Sequence, residues 1–199
     1  MEQALARYID DLYEHGRAHD AEEPDRVHRL RNVEPDTAQL LAVLVRATDA
    51  RRLLELGTSN GYSTLWLADA AKSIDGRVVS VETDPTRTAQ ARAHLSHVGL
   101  DPFVELRTED AVRTLKGSAH ASWDMIFLDA ERPAYVGYWP DLVRVLKAGG
   151  LLVVDNVLSH SDELRDFRRL VDEDPRVSQA LVPTGAGALL IVKEAGAER

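Results

Sequence analysis

From Arg51 onward the chain alternates short apolar runs with amphipathic stretches. The runs are RRLLEL (51–56), RVVSV (77–81), PFVEL (102–106), DMIFLD (124–129), GLLVVD (150–155), RVSQALV (176–182) and ALLIVK (188–193). Short apolar runs bounded by turn formers read as buried strands, and stretches of helical length lie between the first five. That alternation predicts an α/β fold with a parallel sheet covered by helices on both faces. Only PTGAG separates the last two runs. This is too short for a crossover, so they should pair as an antiparallel hairpin. Upstream, residues 2–47 read as helices. Leu5, Ile9, Leu12 and Tyr13 share one helical face, and Leu40, Leu41, Leu44 and Val45 share another. Between them His19 to Pro35 is charged and carries two prolines, which predicts a loop or a broken helix. The expected organisation is one domain over 1–199, with a helical extension at 1–48, a core at 49–194 and a frayed tail EAGAER.

Composition narrows this picture. A chain of 199 residues can bury a full core, and 44% hydrophobic with 29% charged residues is ordinary for a soluble globular protein. Cysteine is absent, which removes disulfides and thiolate metal sites. The segment MEQALARYIDDLYEHG carries acids where a signal peptide would be apolar, and no stretch approaches the roughly 18 apolar residues of a membrane span. A cytoplasmic protein with no membrane partner is expected. The net charge of −9 argues against general nucleic-acid binding. Of the 24 basic residues only 4 are lysine, an arginine bias that runs through the whole chain.

Candidate chemistry gathers where the runs end. The first flows into ELGTSNGYSTLWLADA, with Gly57 and Gly61 in a strand-to-helix turn. Glycine there permits unusual backbone angles and close approach of a ligand. The spacing is GxxxG rather than the dinucleotide GxGxxG, which disfavours a nicotinamide dehydrogenase. A helix N-terminus with Ser63 and Thr64 beside it offers donors to an anion such as an amino-acid carboxylate; an ordinary tight turn is the other reading. The second run ends in VVSVETDP. Glu82, about 20 residues past the glycine loop, can accept from both hydroxyls of a ribose. Together the two features put a nucleoside across the mouth of the sheet. Asp110 ends on the same edge, where it can accept from an adenine amino group or cap the next helix.

The fourth and fifth runs end in FLDAERPAY and VVDNVLSH, so Asp129 and the pair Asp155–Asn156 occupy the tips of two strands expected to be neighbours. Two carboxylates and an amide oxygen form a hard, all-oxygen set that suits Mg²⁺ or another divalent ion. Acids at strand ends also cap helices or face water. Tyr135, Tyr138 and Trp139 follow the fourth strand and can line an aromatic pocket or pack inside the next helix.

LELGTSNGYST, VETDP, FLDAERPAY and LKAGGLLVVDN, in that order, resemble the catechol and caffeoyl-coenzyme A O-methyltransferases. The resemblance runs over roughly residues 30–193, and LRNVEPDTAQLL is similar to that family's segment that closes over the cofactor. It implies a Rossmann-like seven-stranded, mostly parallel sheet of order 3-2-1-4-5-7-6, a homodimer, and S-adenosylmethionine as methyl donor. Asn32 and Val33 would close over that donor. Glu55, Gly57, Thr58, Ser59, Gly61, Tyr62 and Ser63 would surround its methionine end, with Asp129 nearby. Glu82 would hold the ribose and Asp110 the adenine. Asp129, Asp155 and Asn156 would bind Mg²⁺. The implied substrate is a small acceptor with an aromatic hydroxyl, most naturally a vicinal diol that chelates the ion.

The chain also departs from the family. Lysine usually stands three residues after the first metal aspartate as a candidate base; here it is Arg132, which stays protonated. Arg132 can stabilise an oxyanion or pair with an acidic substrate. His160, just past the fifth strand, titrates near neutral pH and can replace the lysine as base; a surface histidine flanking the next helix is the plainer reading. Ala186 stands where the family often has an acid. The other histidines, including His94 and His97, are expected to be solvated. Two rivals remain: a metal-free O- or N-methyltransferase of a small molecule, and a protein that binds S-adenosylmethionine without catalysis.

Overall fold

The computed structural model describes residues 1–26 and 28–196. Strands β1 (Arg52–Leu56), β2 (Arg77–Glu82), β3 (Val104–Thr108), β4 (Trp123–Leu128), β5 (Leu146–Val154), β6 (Val177–Val182) and β7 (Ala188–Lys193) join in one sheet of order β3-β2-β1-β4-β5-β7-β6. The first five run parallel, and β7 lies antiparallel to both β5 and β6, as the short PTGAG link requires. Helices α1 (Gln3–Glu22), α2 (Pro35–Ala47), α3 (Tyr62–Lys72), α4 (Pro85–His97), α5 (Ala111–Gly117), α6 (Tyr135–Val145) and α7 (Arg165–Glu173) surround it. The expected α/β fold and strand order are both observed.

The two-residue strand period divides the core in two. Leu53, Val78, Met125, Phe127, Leu151 and Val153 face one layer with Ile9 of α1, Leu41 and Val45 of α2 and Leu65 of α3. Leu54, Leu56, Val79, Ile126, Leu128, Leu152 and Val154 face the other with Leu115 of α5, Leu142 of α6 and Phe167 of α7. Each such fully buried side chain is worth about 1.5–3 kcal/mol over an exposed one. Burial on both faces explains why the strands read as continuous apolar runs.

Parallel pairing aligns the strand tips. Leu56 pairs with Leu128, and Leu128 with Val154. The amide of Asp129 then donates to the Leu56 carbonyl (2.9 Å) and that of Asp155 to the Leu128 carbonyl (3.3 Å). The residues after β1, β4 and β5 therefore share one edge, at the point where strand order reverses and open α/β sheets bind ligands.

Two local expectations are corrected. α1 continues through His19 to Glu22, so the break begins later than the charge pattern implied; Pro35 opens α2 at its first turn, where its missing N–H costs nothing. His94 is half-buried rather than solvated: its Nδ1 lies 2.7 Å from the Tyr8 hydroxyl, and the Tyr8 ring stacks on the exposed His97 with centroids 4.8 Å apart. The tail past Gly196 lies outside the described residues. Among the described residues no helix is long and apolar enough to cross a membrane.

Candidate active site

A cleft of about 890 Å³ opens over the ends of β1, β2, β4 and β5, with residues 29–34 along its lining. Asn32, Val33, Gly57, Thr58, Ser59, Tyr62, Ser63, Glu82, Asp110, Asp129, Arg132, Asp155, Asn156, His160 and Ala186 line it. Of the residues singled out from sequence as site candidates, Glu55, Gly61, Thr64, Tyr135 and Trp139 do not. Gly57, at φ +105°, lies so close to β4 that a Cβ would run into the Asp129 carbonyl. Glycine is what lets this loop and the β4 tip meet. Gly61, at φ +90°, packs instead against Ala91 of α4.

Glu55 is fully buried beneath the loop. The hydroxyls of Ser63, Thr64 and Ser80 donate to it, each at 2.5 Å. Burial pushes its carboxyl up to about 7, against the pull of those three donors and with a smaller push from Glu82. The Ser63 and Thr64 hydroxyls, expected to face an anion, are thus committed inward. The Thr58 hydroxyl is 2.6 Å from that of Ser80.

Glu82 accepts from the backbone amides of Ser59 (2.9 Å), Thr83 (2.8 Å) and Asp84 (3.1 Å), which ties the tip of β2 to the glycine loop. Asp110 caps α5 through the Val112 amide (2.7 Å) and faces the cleft as well, so its two readings coexist. The segment over the cleft is pinned at several points. Asp20 accepts from the amides of Leu30 (2.7 Å) and Arg31 (2.8 Å), and the Ser59 hydroxyl donates to the Leu30 carbonyl (2.8 Å).

On the far side Asn156, at φ +66°, donates its Nδ2 to Asp129 Oδ1 (3.0 Å) and Asp155 Oδ2 (3.1 Å). Asp155 is 2% exposed, and its Oδ1 is buried without a hydrogen-bond partner. Burial pushes both carboxyls up, Asp155 to about 6 and Asp129 well above its ordinary range, with repulsion from Asp155 adding to the effect on Asp129. Among the described residues no three His, Cys, Asp or Glu side chains group as a metal site; this trio has only two carboxylates.

Arg132 is buried, at 5% exposure. Its Nε donates to Glu163 (2.7 Å), while its Nη2 is buried with no partner. His160 is half-buried at the same edge with Nδ1 2.8 Å from the Ser159 hydroxyl. Desolvation, and then the nearby Arg132, lower its basicity; Glu163 works the other way, and Arg26 and Arg31 add to the lowering. Of the three aromatics, Tyr135 and Trp139 belong to the core, each edge-on to Phe167 with centroids 5.6 Å apart. Only Tyr138 lines the cleft.

The sequence model of a family described as O-methyltransferase matches residues 20–194. The chain belongs to this O-methyltransferase family. Its relatives include two proteins named catechol O-methyltransferase. That of Niastella koreensis is 36% identical over 130 residues, 64% of this chain and 58% of that protein. That of Mycobacterium tuberculosis is 37% identical over 126 residues, 63% of this chain and 57% of that protein. The chain thus matches less than two thirds of either relative's length. An O-methyltransferase from Bacillus cereus, solved in complex with SAH, is 26% identical with a TM-score of 0.77, covering 94% of this chain and 91% of that one.

Four residues at the cleft or beside it carried no signal in the sequence. Asn60 and Glu34 line the cleft. Arg31 pairs with Glu131 (2.9 Å), and Glu163 pairs with Arg132. Glu163 follows Arg132 by 31 residues, and no spacing rule links them.

Proposed function

We propose that the chain transfers a methyl group from S-adenosylmethionine to a hydroxyl of a small catechol-like aromatic acceptor, assisted by Mg²⁺ or a similar ion. The observation that carries this is one cleft holding the glycine loop and Glu82 beside the Asp129–Asp155–Asn156 trio. The names of the two catechol O-methyltransferase relatives and the SAH in the Bacillus cereus structure support it. One catalytic domain over the whole chain, with residues 1–48 as its cover, and a homodimer belong to the same proposal.

The residues fit both groups. Glu82 keeps acceptor capacity for a ribose at Oε2, which accepts from the Ser59 amide, while Oε1 takes the Thr83 and Asp84 amides and the Thr83 hydroxyl. Gly57 lets the loop that would face the methionine end close against the tip of β4. Glu55 acts from beneath, orienting the loop through Ser63, Thr64 and Ser80. For the ion, the partnerless Asp155 Oδ1 and two mutually repelling carboxylates are an environment that a cation relieves. Half a turn of the Asn156 amide would offer its Oδ1 in place of Nδ2.

When bound, the donor supplies a methyl for in-line displacement, and the ion acidifies and orients the acceptor hydroxyl. The remaining work falls to the chain. His160, with basicity lowered, is neutral at pH 7 and able to take the hydroxyl proton. Arg132 holds positive charge beside the oxygen as it becomes anionic.

One observation favours a metal-free second reading: Asn156 Nδ2 already bridges both carboxylates. Calorimetry with S-adenosylmethionine with and without Mg²⁺, followed by catechol turnover in chelator, decides between them. Preferential NAD binding would overturn both.

A further inference from the structure

We propose that Arg132, with Arg26 and Arg31, forms a binding site for a carboxylate carried by the acceptor, so that acidic catechols are preferred over neutral ones. The inference rests on the function proposed above and specifies its substrate class. Two stretches of chain bring these guanidiniums to one rim of the cleft, the N-terminal segment and the turn after β4, and the approach to α7 brings Glu163 to them. Arg132 is bound through Nε to Glu163 at 2.7 Å, and the same carboxylate reaches Arg26 at 3.8 Å. Arg31 pairs with Glu131 at 2.9 Å. Three cations thus share two carboxylates, leaving one positive charge over at this rim. Glu34, also in the cleft, accepts from the Tyr13 hydroxyl (2.6 Å) and keeps its charge, which Arg29 of the same lining, its Nε donating to the Glu23 carbonyl (2.8 Å), offsets; the Asp129–Asp155 charge is matched by the ion in the proposed function.

The partnerless atoms sharpen the point. Arg132 is 95% buried, yet its Nη2 has no acceptor; the Nε of Arg31 is likewise buried and unbonded. Leaving a charged donor desolvated and unpaired costs more than a neutral one. A guanidinium fork matches a carboxylate with two parallel hydrogen bonds, which a lysine cannot do. The same substitution that removes a base from this position therefore adds a planar anion receptor.

The test compares 3,4-dihydroxybenzoate with 3,4-dihydroxybenzamide, equal in size and different in charge, under saturating S-adenosylmethionine and Mg²⁺. The wild-type chain should favour the acid by tenfold or more in kcat/KM, mainly through KM. Arg132→Gln should erase that preference, Arg132→Lys should keep part of it, and the surface variant Arg26→Gln should reduce it severalfold if Arg132→Gln does not fold. Equal use of acid and amide by the wild type overturns the proposal, as does a preference that survives both glutamine variants. Loss of SAH affinity in Arg132→Gln with the acid preference intact would assign the site to the cofactor's carboxylate and also overturns it. If neither acceptor is methylated, the catechol reading fails. Calorimetry of the SAH complex with benzoate and benzamide then decides: benzoate binding that disappears in Arg132→Gln upholds the anion site, and equal or absent binding overturns it.

Discussion

The Ser63 hydroxyl donates to Glu55 Oε1 at 2.5 Å beneath the glycine loop. With Thr64 and Ser80 it surrounds a carboxyl that burial raises to about 7 from an ordinary 4.5. The folded state therefore binds this proton more tightly than the unfolded chain does. Stability from Glu55 is fully present below about 4.5 and is lost as pH rises through about 7, by up to roughly 3 kcal/mol. Glu55→Gln should flatten this dependence. Its melting temperature should exceed that of the wild type at pH 8 and match it near pH 5, with about 2–4 °C expected per kcal/mol. Parallel melting curves for the two proteins across that range would refute the assignment.

Glu82 joins β2 to the glycine loop through the Ser59 amide. Glu82→Ala is expected to weaken S-adenosylmethionine and SAH binding by about 1–3 kcal/mol, the range for a lost charge-assisted acceptor. Glu82→Gln separates two causes. If it binds SAH as weakly as the alanine variant but melts like the wild type, the lost ribose contact is responsible. If it melts early, the loop itself has loosened.

Much of this architecture was legible in the chain. The apolar runs located all seven strands because buried parallel strands need continuous apolar sequence, and the short PTGAG link dictated the final hairpin. The aromatic trio was half legible: Tyr135 and Trp139 stand four residues apart and share the core face of α6, which leaves Tyr138 outside. Other features carried no local signal. The Ser63 and Thr64 hydroxyls turn inward because an acid from the preceding strand is buried under them. The Arg132–Glu163 pair exists only because α7 returns beside the turn after β4. Helix α1 runs past its expected end because its last turns are charged and exposed, and exposed polar sequence does not distinguish helix from loop.

Asp129 and Asp155 should behave as a cation site. Mg²⁺ is expected to raise the melting temperature of the wild type and to leave Asp155→Ala unmoved, a readout independent of turnover. Asp155→Ala should also abolish metal-dependent methylation while SAH binding stays nearly intact. In chelator, Asp155→Asn should melt above the wild type, because it removes one of two like charges buried together. Full-rate turnover by chelator-treated protein would award the site to the metal-free reading.

His160 is the group placed to take the acceptor's proton, since Arg132 stays charged. Its Nδ1 lies 2.8 Å from the Ser159 hydroxyl. When Nδ1–H donates to that oxygen, Nε2 is left unprotonated and basic, which is the tautomer a proton acceptor at Nε2 needs. Burial and Arg132 shift the ring's titration below its ordinary 6.5. The active neutral form then prevails at pH 7, and kcat should fall only as pH drops through that lowered value. His160→Ala should lower kcat by about 10²–10⁴-fold and abolish this acid limb. Ser159→Ala should have a smaller effect with the limb retained. The loss in His160→Ala should shrink for acceptors whose hydroxyl is already acidic, since those arrive deprotonated. Should the variant match the wild type on weakly acidic phenols, proton removal needs no side-chain base, and the arginine rim is left to orient the acceptor alone.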